Sequence, residues 1–288
     1  DHINNGKELL FLYRETGDEK YIAAARVLRR QLDEQPRTDA GGFWHKKMYP
    51  YQMWLDGIHM ASPFYLEYSL LTGDEAALHD AALQPLLCYE KTYDPAMRLN
   101  RHVWDEKAAQ PWAEPGTGWA PHAWGRAMGW FVVALADMLE LFPPSHADYP
   151  RLLEVFQKTC RSLLDVQRDT GVWMQVLDCP ERPGNYAESS CTALITYALA
   201  KGVRLRLLPA SVATDVRFAY AGLVTQFVQD MSGKILLTRC CQSAGLGGAQ
   251  NRDGSFAYYL SEPAISDDLK GLGAFLQAAC EVEGRMGL

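Results

Sequence analysis

Apolar residues recur at i, i+3 and i+4 along most of the chain, the spacing that gathers them on one face of an α-helix. This pattern predicts helices over 7–15, 20–33, 54–71, 75–89, 124–141, 149–166, 189–207, 211–228 and 269–283. Alternation of period two is scarce. It predicts short hairpins at most, over 172–177 and 235–238. The expected class is all-α.

One joint occurs twice: YRETGDE from Tyr13 and YSLLTGDE from Tyr68. In each, a glycine (Gly17, Gly73) reads as a left-handed helix C-cap, and the following aspartate as the next helix's N-cap. The two glycines stand 56 residues apart (73 minus 17), about one helical hairpin with its connections. At that period the chain holds about five hairpins, each needing neighbours to cover its apolar faces. The segments 36–53, 93–123, 170–188 and 230–263 are too long for plain turns and too aromatic for disorder. Together these features predict one domain over 1–288, a toroid of helical hairpins whose mouth carries a site.

Charge narrows the classes. Lys and Arg total 28 against 35 Asp and Glu, a net charge of −7, which argues against nucleic acid or an anionic membrane surface as a partner. No apolar run reaches membrane-spanning length. The seven cysteines, at 88, 160, 179, 191, 240, 241 and 280, are odd in number and show neither CxxC nor zinc spacing. They read as small buried hydrophobes in a reducing compartment, so a cytoplasmic location and no metal are expected. P-loop, GxGxxG, HExxH and G-x-S-x-G motifs are absent, removing most nucleotide, zinc-protease and α/β-hydrolase readings.

The candidate chemistry lies in four aromatic clusters. GGFWHKKMYPYQMWLDG from Gly41 sets Asp56 among Trp44, His45 and Trp54. RHVWDE from Arg101, with QPWAEP from Gln110, offers His102, Asp105 and Glu114. WGRAMGW from Trp124 places Arg126 in the first turn of a helix. WMQVLD from Trp173 and NYAESS from Asn185 put Trp173 and Gln175 on one face of an extended segment. Carboxylates among aromatic rings suit acid/base work on sugars: rings stack on pyranose faces while one carboxyl moves a proton. An arginine can grip a substrate carboxylate with two parallel bonds. Each residue also has a plainer reading, as helix-start acid, core ring or internal ion pair.

These motifs, with YYLSEP from Tyr258, resemble the unsaturated rhamnogalacturonyl hydrolases of glycoside hydrolase family 105, related to the unsaturated glucuronyl hydrolases of family 88. The resemblance spans most of the chain. It implies an (α/α)6 barrel of six hairpins, the first of them upstream of Asp1 or absent. It also implies hydration of the C4=C5 double bond of a 4,5-unsaturated galacturonic acid linked to rhamnose, without metal or organic cofactor. A carboxylic acid protonates C4, water adds at C5, and the hemiketal opens to release the second sugar. On this resemblance Asp105 is the principal acid/base, with Glu114 its competitor, and Asp56 the second acid. A pKa raised by burial would suit Asp105 to the acid role. His45, His102, Arg126, Trp173, Gln175 and Trp44 contact the substrate, an unsaturated oligosaccharide, and the protein is expected as a monomer or weak homodimer. Two alternatives stay open: an unsaturated glucuronyl hydrolase acting on other lyase products, and a non-catalytic carbohydrate-binding homologue.

Overall fold

The structure, a computed structural model, describes residues 1–287. Helix α1 (Gly6–Thr16) ends at Gly17, whose φ of 66° a side chain would strain, and the Asp18 carboxylate accepts the Lys20 amide to open α2 (Glu19–Asp33). The same device ends α3 (Leu55–Thr72) at Gly73 and opens α4 (Glu75–Thr92) at Asp74. Three further pairs of positions complete the order: α5 (Gly125–Leu141) with α6 (Tyr149–Asp165), α7 (Ser189–Arg204) with α8 (Val212–Phe227), and α9 (Phe256–Ser261) before α10 (Leu269–Ala279). The predicted helices are all present. The six-residue α9 was not foreseen, and a π-helical turn over Cys280–Met286 continues α10.

Burial divides the helices into two rings. On α7 every residue from Ser189 to Gly202 is buried, and α5 is apolar almost all round, so both line the interior. Helices α2 and α6 bury one stripe and leave the rest in water, as an outer layer does. The inner helices pack in sequence: α1 on α3, α3 on α5, α5 on α7 and α7 on α10. Helices α5 and α7 come close because Gly129 has no side chain; a Cβ there would lie 2.9 Å from the Leu194 Cβ. The main hydrophobic core runs from Ile3 to Val282, and a smaller cluster around Trp54, Val103 and Trp112 lies apart from it. The result is a helical barrel of four hairpins plus α10. Among the described residues no comparable packing joins α10 back to α1, and Leu269 and Leu276 of α10 stand 83% and 60% exposed. No described helix is long and apolar enough to cross a membrane.

The long connections add four two-stranded antiparallel ladders. One matters for the site: Gln52–Trp54 pairs with Val103–Asp105, Trp54 opposite Val103 and Gln52 opposite Asp105. The expected strand at 235–238 pairs with Val228–Met231. The expected hairpin at 172–177 does not form. Its backbone bonds alternately to 123–125 on one side and to 186–188 on the other, so it is a buried strap between two segments.

Candidate active site

The inner helices α3, α5 and α10 contribute their first turns to one mouth, where each directs the positive end of its dipole. Asp56 is the second residue of α3. The ladder fixes it: Trp54 is extended, and the Leu55 amide donates to the His102 carbonyl, bringing the two segments side by side. His102 Nε2 then lies 3.0 Å from Asp56 Oδ2, and His102 Nδ1 lies 2.7 Å from the Tyr259 hydroxyl. Burial pushes the Asp56 pKa up, but the charge and hydrogen bond of His102 outweigh it and hold the carboxyl below its ordinary range. An ionised carboxylate only accepts, so Nε2 carries the proton toward Asp56. The buried Tyr259 hydroxyl is paired with Nδ1, and donates to it when the ring is neutral.

Aromatic rings wall this pair. His45 stacks on Trp54 at 4.7 Å, and Tyr49 stacks on the same indole at 5.0 Å. Burial drives the His45 pKa down to about 3, so its ring is neutral at any working pH. Trp124 and Trp130 line the same lobe. Trp124 is held from behind, its Nε1 donating to Gln175 Oε1 at 3.1 Å. Arg126 is 1% exposed, with Nε on Ser190 Oγ, Nη2 on the Cys241 carbonyl, and Glu188 3.6 Å away. Burial disfavours its charge, but Glu188 more than restores it. Its Nη1 has no partner among the described residues, and the side chain borders the cavity.

A second acid completes the mouth, and the sequence reading missed it. Asp1 lines the same cavity as Asp56, with its carboxylate 2.5 Å from Lys46 Nζ and 3.9 Å from His45 Nε2. Two adjoining lobes meet here and share Asp1, His45, Lys46, Trp54 and Met60 as walls. The smaller, about 230 Å³, holds Asp56, Arg126 and Lys270. The larger, about 460 Å³, is mostly apolar. It is bordered by Trp44 and Ser62, whose Nε1 and Oγ are buried and unpaired.

The structure corrects several expected roles. Asp105 lies outside both lobes and is 2% exposed. Its carboxylate accepts the amides of Lys107, Ala109 and Gln110 and holds that loop. His102 and Asp105 are three residues apart along extended chain, so they point to opposite sides and stand roughly 10 Å apart. Glu114 is exposed and accepts the Thr117 hydroxyl in a tight turn. Trp173 is core, fully buried with Nε1 donating to the Leu163 carbonyl. Gln175 is equally buried and touches Trp124, the Tyr259 carbonyl and Cys241 instead of the cavity. Asp56, His45, Arg126 and Trp44 border the cavity, and His102 sits directly behind Asp56.

Comparison with known proteins adds the following. The family model described as Glycosyl Hydrolase Family 88 matches residues 1–286. Protein Atu3128 of Agrobacterium fabrum is 39% identical over 229 residues, 77% of this chain and 97% of that protein. The unsaturated rhamnogalacturonyl hydrolase YesR of Bacillus subtilis is 29% identical over 209 residues, 70% of this chain and 58% of YesR. A solved glycoside hydrolase from family 105 of C. acetobutylicum superposes with a TM-score of 0.96 at 46% identity, covering 99% of this chain and 79% of that one.

Proposed function

The chain belongs to glycosyl hydrolase family 88 with its family 105 relatives, and from that premise we propose that it hydrates the 4,5 double bond of an unsaturated uronide, with an unsaturated rhamnogalacturonan disaccharide as substrate. One observation carries the reading: two carboxylates, Asp56 and Asp1, face a single aromatic-walled cavity beside a buried arginine with an unused nitrogen. The similarity to YesR supports the choice of a rhamnose-linked galacturonate.

In this proposal the uronate carboxylate enters the smaller lobe toward Arg126 Nη1, and the sugar ring stacks between Trp54 and the Trp124–Trp130 wall. The arriving negative charge and the loss of water raise the proton affinity of the two acids. Asp56 then carries a proton and delivers it to C4. As C5 becomes electron-poor, water adds there and returns its proton to the Asp56 carboxylate. The C5 hydroxyl product is a hemiketal; its C5–O5 bond opens to a ketone, and the hemiacetal left at C1 collapses to an aldehyde, freeing the second sugar into the apolar lobe beside Trp44. His102 orients Asp56 and steadies its ionised form between proton transfers.

The test is loss of the ultraviolet absorbance of the conjugated uronate on incubation with lyase-generated disaccharides. Asp56→Asn is expected to lower the rate by about 10²–10⁴, with the fold intact by circular dichroism. A wild-type rate in that variant, or activity abolished instead by Asp105→Asn in a folded protein, would overturn the assignment. A second uronide, such as a glucuronyl unit from a glycosaminoglycan lyase, turned over faster than the rhamnogalacturonan product would replace the substrate but keep the mechanism.

A further inference from the structure

Outside the cavity, three donor atoms from two distant parts of the chain converge. His122 Nδ1 and Asp178 Oδ2 are 2.6 Å apart, Cys179 Sγ is 3.5 Å from the same Oδ2, and Sγ to Nδ1 is 3.8 Å. We propose that His122, Asp178 and Cys179 form a zinc-class metal site, with the fourth position open to water.

The geometry supports this. Tetrahedral zinc with ordinary Zn–S, Zn–N and Zn–O lengths sets its ligand atoms about 3.4–3.6 Å apart. Both sulfur edges match to within about 0.3 Å. The remaining edge opens from 2.6 Å as the ion replaces the proton now shared by imidazole and carboxylate. The surroundings are fixed in advance. Asp178 Oδ1 accepts the Ala123 amide at 2.9 Å, the kind of outer bond that orients a ligating carboxylate. The Arg182 amide and Asn185 Nδ2 both donate to the Cys179 carbonyl, closing the turn. Phe256 and Tyr259 pack edge-on against the His122 ring. Thiolate, carboxylate and neutral imidazole give a charge of −2, which a divalent ion cancels, and the thiolate selects a borderline-soft metal over Mg²⁺ or Ca²⁺.

The site ties the segment leading into Trp124 and Arg126 to the 178–185 turn, one ring away from Tyr259. It is independent of the proposed reaction, because no step uses the ion.

The experiment is titration of the whole, chelator-treated protein with Co²⁺, followed in the near ultraviolet and visible. The expected result is one equivalent bound with a thiolate-to-cobalt charge-transfer band, displaced by Zn²⁺. Cys179→Ser and His122→Gln should each weaken binding by at least about a hundredfold, since even outer-shell losses cost 10–100-fold. The Cys280→Ser control should bind as wild type. No thiolate band, a band that survives Cys179→Ser, or millimolar affinity would overturn the site, whatever the enzymatic assays show.

Discussion

Tyr259 is the residue through which His102 is tuned. With its hydroxyl on Nδ1, the imidazole has its proton on Nε2, aimed at Asp56. In Tyr259→Phe the ring is free to take the other tautomer, whose Nε2 lone pair faces the carboxylate and repels its charge. The Asp56 proton affinity should then rise, moving the acidic limb of the kcat/KM profile to higher pH while KM changes little. An unmoved profile in a folded Tyr259→Phe would show that the tyrosine only fills space. Asp1→Asn is expected to reduce kcat with stability unchanged, because Asp1 is partly open to solvent and its partner is the surface Lys46. Asp105→Asn is expected to do the reverse. It leaves amides of the 106–110 loop poorly paired and should cost about 2–3 kcal/mol of stability, read by denaturant unfolding, with kcat near wild type.

At the level of elements, the position of Arg126 depends on how closely α5 approaches its neighbours. A Cβ on Gly125 would lie 2.7 Å from the Met174 carbonyl and 3.0 Å from Cys191 Sγ, and one on Gly129 would meet Leu194. Gly125→Ala must therefore lift the start of α5 off the 172–177 strap. The expected loss is about 1–3 kcal/mol, accompanied by a larger KM than a remote core substitution of equal cost, because Arg126 and Trp124 move with the helix. Equal KM for the two variants would separate the glycine from the site. The helix pattern was readable from residue spacing, and so were the joints at Gly17 and Gly73, since both are local. The 172–177 strap was misread because alternation shows that a segment is extended, not what lies on either side of it. Trp173 and Gln175 do share a face, and that face is buried in the barrel wall.

For the molecule as a whole, acid is the condition most sharply felt. Burial lowers the pKa of His45 to about 3 and that of His59 well below its usual 6.5. The unfolded chain therefore binds protons that the folded chain refuses, and stability is full above about pH 6.5 and lost as pH falls toward the folded values. Each histidine contributes a slope of up to about 1.4 kcal/mol per pH unit in that window. Asp178 and Asp80, ionised in the fold with depressed pKa values, add their own loss at lower pH, below the ordinary 3.8. Melting temperature should fall from about pH 6.5 downward, and His59→Gln should flatten the first part of the fall. A melting temperature constant from pH 7 to pH 5 would contradict the buried neutral histidines.

The sequence by itself determined every helix but α9, with their order and the joints at Gly17 and Gly73, because the 3.6-residue period and the glycine and aspartate joints act within a few residues. It also placed Asp56 beside aromatic rings, since WLDG lies at the start of a strongly patterned helix. Which carboxylates face the cavity was decided only by tertiary structure. His102 and Asp105 share one motif, yet a strand sends residues three apart to opposite sides, so the ladder with Gln52–Trp54 turned one inward and locked the other into a loop. Asp1 showed no motif, and it borders the cavity because the 3-10 turn His2–Asn5 that follows it packs beside α3. The His122, Asp178 and Cys179 cluster had no spacing to read, because 56 residues (178 minus 122) separate its first two members and folding alone brings them together.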